Sequence, residues 1–361
     1  MSEKTRLPLH VMAETTDTDY WNDSCSIQEL SYAIPNGAVG ATTNPSIVYA
    51  VLQKEFDRWE DRIRAMISEN PVADEDQIAA QLVEEMAVKG AELLKPVFDR
   101  ENRLKGRISI QTNAKFYRNA DAMVEQAVKF DALAPNMQIK MPATAAGIKG
   151  IEEATYRGIN INATVCFTVP QSIAVAEAME RGLARREAEG KDTTSMTPVC
   201  TIMVGRVDDW LKVVAEKKNI LVDPAYLDLA GVAVMKNAVR IFKERGFRAR
   251  LLVAAYRNWN HVAELIGANI IHTIPYKWQL RYNGSQMPIV DTTAVEPDAK
   301  MIEVLKSNFE DFVKAYEPGG MTIDEFDSYG ATRRTLRQFI GGYDSLVGVI
   351  RQMMIPDPDT E

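Results

Sequence analysis

Along the chain, short apolar or β-branched runs alternate with longer amphipathic stretches. The short runs predict strands at 18–23, 39–44, 107–112, 137–143, 161–167, 199–205, 249–256 and 269–275. Several, such as ARLLVAAY and NIIHTIP, are apolar without alternation, the pattern of a strand covered on both faces in a parallel sheet. Helices are predicted between them, over 75–99, 117–131, 146–157, 169–188, 206–217, 224–245 and 258–267. Pro45 follows Asn44 where a first turn would begin, and Asn258 can cap a helix starting at Trp259. Eight strands, each followed by a helix, predict an α/β fold of the (β/α)8 TIM-barrel kind.

Two segments exceed that plan. Residues 45–106, between strands two and three, have room for a helical insertion of two or three helices. The tail holds two more, near 297–315 and 330–353, separated by the breaker sequence EPGGMTID. One domain is therefore expected over 1–361: an N-terminal extension at 1–17, a barrel core at 18–282 and a C-terminal helical extension at 283–361. No glycine cluster has dinucleotide or Walker spacing.

Composition narrows the partners. The 361 residues carry 42 basic and 50 acidic side chains, a formal charge of −8 that argues against nucleic acid. No apolar run approaches the ~20 residues of a membrane span, and the start MSEKTRLPLH lacks a signal-peptide core. Cys25, Cys166 and Cys200 sit among apolar neighbours and read as buried, reduced thiols of a cytoplasmic protein. His10, His261 and His272 are scattered, so neither a metal site nor a cofactor is expected.

In such a barrel, chemistry belongs at the carboxyl ends of the strands. Asp23, Asn44, Gln111, Lys140 and Thr164 close strands one to five, while Arg206 and Arg257 follow strands six and seven. Lys140, inside IKMP, would meet low-polarity walls that favour its neutral amine, the form that attacks a carbonyl. It could instead snorkel outward or pair with a carboxylate. Asp23 suits a general base, or an N-cap for the segment starting at Ser26; Asn44 suits a cap after which Pro45 opens a helix. Gln111 and Thr164 could hold a catalytic water or merely satisfy strand-end backbone. Two arginines at adjacent strand ends suggest a clamp for a phosphate or similar anion.

GATTNPSIV (40–48), IKMPATAAGIKGIEEA (139–154), GININATVCF (158–167), VGRVDD (204–209) and VAAYRN (253–258) resemble the transaldolase family in sequence and in order. The resemblance implies a Schiff-base barrel in which Lys140 forms the adduct and Asp23, in DSCSI, is the acid/base. Glu14, in AETTD, is a rival with a longer spacing to Asn44. By the same motifs Asn44, Arg206, Arg257 and Thr201 fall at substrate-binding positions, and Gln111 and Thr164 at a proton-shuttling water. Gln111 stands where many members have glutamate, as in the fructose-6-phosphate aldolase branch. Met203 replaces an aromatic residue, and Ala255 and Thr201 replace serines.

The resemblance thus implies transfer of a dihydroxyacetone unit from a ketose phosphate, or another anionic ketose, to an aldose acceptor. The alternatives are an aldolase-like lyase releasing free dihydroxyacetone and a non-catalytic sugar-phosphate-binding barrel. The physiological sugars and any homo-oligomer stay open.

Overall fold

The computed structural model describes residues 6–359. Eight parallel strands close in sequential order, with β8 hydrogen-bonded back to β1. Before the barrel, α1 (Pro8–Thr15) forms a helix that the apolar pattern did not announce. Then follow β1 (Asp19–Asn22), α2 (Ile27–Ala33), β2 (Ala38–Thr42), and the insertion as three helices, α3 (Pro45–Lys54), α4 (Phe56–Glu69) and α5 (Glu75–Arg100). The next units are β3 (Arg107–Gln111), α6 (Ala120–Asp131), β4 (Met137–Pro142), α7 (Ala145–Tyr156), β5 (Ile161–Cys166) and α8 (Val169–Ala188). They are followed by β6 (Val199–Ile202), α9 (Val204–Lys218), α10 (Pro224–Asp228), α11 (Ala230–Arg245), β7 (Arg250–Val253), α12 (Asn260–Ala263) and β8 (Ile271–Ile274). After β8 comes α13 (Tyr276–Asn283), and the tail adds α14 (Ala299–Asn308), α15 (Glu310–Tyr316) and α16 (Gly330–Met354).

Three predicted helices need correction, each for a tertiary reason. The stretch 224–245 breaks at Leu229, because the Gly231 N–H donates to buried Asp208 Oδ1 (2.8 Å) rather than to the helical carbonyl four residues back. The stretch 258–267 keeps a single turn. Asn258 Oδ1 accepts from the Asn260 N–H at 2.9 Å, and Ile266 donates to Thr292 Oγ1 at 3.1 Å, so the tail satisfies backbone that a helix would have paired. The stretch 297–315 bends at Phe309, which is fully buried in an extended conformation between α14 and α15.

Side chains alternate in and out along each strand, so every second residue faces the barrel axis. At the amino-terminal end, buried Asp19 bridges Lys105 (2.7 Å) and Arg250. A polar chain links four consecutive strands, β3 to β6: Thr201 Oγ1 donates to Asn162 Oδ1 (2.6 Å), Asn162 Nδ2 to Ser109 Oγ (3.0 Å), and Ser109 Oγ to Gln138 Oε1 (3.2 Å). The opposite mouth is flanked by α16, which packs on α3 and α5 and touches α9 and β5.

The docking of α16 on α3 depends on one absent side chain. A Cβ on Gly342 would lie 2.4 Å from Ser46 Oγ and 2.9 Å from Ser46 Cα, whereas Gly341 faces open space. The neighbouring glycines should therefore respond oppositely to alanine. Gly341→Ala is expected to stabilise by up to about 1 kcal/mol through helix propensity. Gly342→Ala should cost about 1–3 kcal/mol through overpacking. Urea unfolding of both variants checks the sign; equal effects would mean that the contact does not seat the helix.

Candidate active site

Lys140 lies on β4 with its side chain inside the barrel, only 3% of the residue exposed. Its neighbours in register are Gln111 on β3 and Asn162 on β5. Burial pushes its pKa down; Asp23 pushes back up, and Arg206 adds to the depression. The snorkelling alternative is therefore removed. Asp23 follows β1 and donates its backbone N–H to the Ile274 carbonyl at 3.1 Å. Burial raises its carboxyl above the usual range, while Lys140 and the Thr42 hydroxyl pull the other way.

A hydroxyl chain fixes that carboxylate. Thr42 Oγ1 donates to Asp23 Oδ1 at 2.7 Å, which leaves Thr273 Oγ1, 2.5 Å from Thr42 Oγ1, as the donor to Thr42. Asp23 is not an N-cap: Ser26 Oγ takes the Glu29 N–H and caps α2. Glu14 lies on α1, paired with Arg6 and His10, and shares no hydrogen bond with the strand ends.

The remaining candidates divide. Asn44 Oδ1 caps α3 by accepting the Ile47 N–H at 3.0 Å, so only Nδ2 is free for another contact. Gln111 is buried and its Oε1 accepts no hydrogen bond. Thr164, fully buried on β5, has only the Met203 thioether at 4.0 Å as a side-chain partner. Thr201 is spoken for by Asn162 within the polar chain and stands one layer back from the mouth.

Arg206 Nη1 donates to Gln338 Oε1 on α16 at 2.7 Å, its guanidinium lies over the Phe339 ring, and its buried Nε has no partner. Burial and neighbouring Arg257 bring its pKa down to about 10, so it stays charged near neutrality. Arg257 is exposed, and its Nε and Nη2 fork onto the Asp209 carboxylate at 2.8–3.2 Å.

Sequence reasoning passed over Asn162 and Thr42. Both share the inward parity of chosen neighbours, two residues from Thr164 and Asn44 respectively, and that alternation was the available signal. Gln338 carried no local signal, because only the path of α16 brings it to Arg206. Among the described residues no group of three or more His, Cys, Asp or Glu is placed to hold a metal ion. A buried amine facing a carboxyl, with amides and a hydroxyl beside it, is equipped for carbonyl addition and proton transfer.

Residues 20–321 match the family model described as Transaldolase/Fructose-6-phosphate aldolase. A Thiobacillus denitrificans protein named Transaldolase is 30% identical over 295 residues, covering 74% of this chain and 80% of that one. A Streptomyces avermitilis protein named Transaldolase 2 is 26% identical over 322 residues, covering 80% and 84%. A Mycolicibacterium smegmatis protein named Transaldolase is 27% identical over 261 residues, covering 66% and 70%.

The opposed influences on Lys140 give a signed prediction. Asp23 raises the pKa of the amine and Arg206 lowers it. In Asp23→Asn the neutral amine should therefore persist to lower pH, and in Arg206→Ala only to higher pH. The pH-dependence of borohydride trapping with dihydroxyacetone reads the limb directly. An unchanged limb in both variants would show that neither charge reaches the amine.

Proposed function

The chain belongs to the transaldolase/fructose-6-phosphate aldolase family, and we propose that Lys140 is the residue on which its chemistry runs. The protein is a transaldolase-like enzyme that moves a dihydroxyacetone unit from a ketose phosphate to an aldose acceptor through a lysine Schiff base. The observation that carries the residue assignment is the buried Lys140 amine, held toward its neutral form opposite Asp23. In this reading the amine adds to the donor ketone, and loss of water leaves an iminium. Asp23 takes the proton of the hydroxyl beside the scissile bond; that bond breaks, and its electron pair passes to the iminium nitrogen. The aldose phosphate departs and an enamine remains on Lys140. An acceptor aldehyde is then attacked by the enamine carbon, protonated Asp23 returns its proton to the new alkoxide, and water hydrolyses the iminium.

The neighbours take supporting roles. The Thr273–Thr42 hydroxyl chain keeps Asp23 oriented and stabilises its anionic form. Gln111 and Thr164 are assigned to the water that enters and leaves in the iminium steps. Asn44 and Asn162 hold hydroxyls of the three-carbon fragment, Asn44 only through Nδ2. Thr201 acts through Asn162. No helix among the described residues is long and apolar enough to cross a membrane. Cytoplasmic residence is part of this reading, supported by three buried cysteines with free thiols.

Reductive trapping tests the nucleophile. With fructose 6-phosphate and borohydride the intact mass should gain one adduct, mapped to Lys140. Lys140→Arg should form none, since its guanidinium stays protonated. A label on another lysine, or turnover by that variant, would end the assignment.

Arg206 and Arg257 are proposed to clamp the anionic tail. Both forks now rest on partners of the protein, Gln338 and Asp209, that an anion would displace. Charge-assisted hydrogen bonds contribute roughly 1.5–3 kcal/mol, so losing either arginine should lower efficiency toward fructose 6-phosphate by about ten- to a hundredfold. Arg257 should sit at the low end, because release from Asp209 offsets part of its gain. Fructose should be little affected; an equal fall for both sugars would make the arginines structural.

A further inference from the structure

Two ionisable residues with no part in the bond chemistry lie between the segments that carry the arginines. Asp208 on α9 and His261 on α12 both have fully buried side chains, with His261 Nε2 and Asp208 Oδ2 at 2.7 Å. Asp208 Oδ1 accepts the Gly231 N–H at 2.8 Å. On the other side of the imidazole, Nδ1 lies 3.0 Å from the backbone nitrogen of Arg257. A backbone N–H only donates, so Nδ1 accepts and the ring proton stands on Nε2, toward Asp208. The chain has fixed the tautomer. The order is Gly231 N–H to Asp208, His261 Nε2–H to Asp208, and Arg257 N–H to His261 Nδ1.

Close packing surrounds this chain of bonds. A Cβ on Gly205 would lie 2.0 Å from the Ala255 carbonyl oxygen and 2.7 Å from Arg257 Cγ. Ala255 itself is held at φ +67°, a left-handed conformation unusual for a side-chain-bearing residue. The first turns of α9 thus present Arg206 to the rim, Asp208 to the interior and Asp209 to the guanidinium of Arg257.

We propose that the buried Asp208–His261 pair is a positioning device that sets the span between Arg206 and Arg257, and through it the preference of the site for an anionic tail. The inference rests on the clamp reading above. Packing alone would be served as well by apolar side chains, since replacing hydrogen-bonded buried polar groups by well-packed hydrophobic residues is often neutral or stabilising. What an apolar pair cannot do is accept the Arg257 N–H at a fixed point while tying that acceptor to the helix bearing Arg206. Neither residue touches substrate; both act through Arg257.

Asp208→Asn tests the device with almost no change in volume. The amide must turn its NH2 toward either the Gly231 N–H or His261. In the first case donor meets donor; in the second the ring proton moves to Nδ1 and faces the Arg257 N–H. The readouts are the ratio of kcat/KM for fructose 6-phosphate over fructose, and competitive inhibition by inorganic phosphate. Loss of one such orientation should lower the ratio and weaken phosphate inhibition by about tenfold. Turnover of fructose and its borohydride trapping at Lys140 should stay within about twofold, since the bond chemistry is untouched. His261→Gln, which keeps a donor for Asp208 but not the ring acceptor, reads the same ratio should Asp208→Asn fail to fold. An unchanged ratio and unchanged phosphate inhibition in a folded variant overturn the proposal, as does an equal loss for both sugars. Arg257→Ala run alongside separates the two ideas: if it also leaves the ratio unchanged, the clamp reading fails; if it alone lowers the ratio, only the positioning role fails.

Discussion

Everything distinctive about this site depends on an amine and a carboxyl enclosed together at the mouth of the barrel. Removing charge from water is expensive, and the usual outcome is that the group shifts its pKa toward neutrality. Lys140 and Asp23 are both displaced in that direction, by the same cause, and each restrains the displacement of the other. The charge state of each partner therefore depends on that of the other. A Schiff-base reaction coupled to general acid/base catalysis requires both partners to change state within one cycle. Arg206 tilts the balance: as a third charge it lowers the pKa of both groups, favouring a neutral lysine beside an ionised aspartate.

The barrel was legible because a parallel strand covered on both faces has an unmistakable run of apolar residues, as ARLLVAAY shows, and because the units repeat. All eight predicted strands are present, each one to four residues shorter than its run, since the flanking residues enter loops or, at Val204 and Gly205, open α9. The failures have another origin. The helix breaks at Leu229 because a carboxylate twenty-three residues before Gly231 claims its N–H. The segment after Asn258 unwinds because Thr292 supplies its partners. These are long-range hydrogen bonds to backbone, and no window of local sequence contains them.

The site shows the same division. Lys140, Gln111 and Thr164 were legible as polar residues closing their strands, and the family motifs placed Asp23 above the superficially similar Glu14. Asn44 caps α3 through its oxygen, which leaves its amide nitrogen outside that bond. Arg206 was readable as a rim cation, but not what holds it. Gln338 and Phe339 come from α16, which lies beyond residue 321, where the family match ends, and they reach the site only because α16 docks on α3 at Gly342. The sequence separation of 132 residues between Arg206 and Gln338 is bridged entirely by tertiary packing.

Two under-satisfied groups bear on what becomes of the enamine. Gln111 Oε1 is buried without a donor, and the Thr164 hydroxyl meets only a thioether, a weak acceptor. Gln111 is in register with Lys140 on β3, and Thr164 stands on β5 in register with Pro142. Both groups can accept a hydrogen bond from a water or a substrate hydroxyl. Met203 then matters by what it lacks. A thioether neither donates nor carries an ionisable proton, whereas a phenol at that position could deliver one to the enamine carbon. With Thr164 facing sulfur on one side and Gln111 offering only amide hydrogens on the other, neither wall supplies an acid of useful strength. In the proposed cycle the acid left beside the enamine is protonated Asp23, whose proton goes to the alkoxide formed on the acceptor aldehyde.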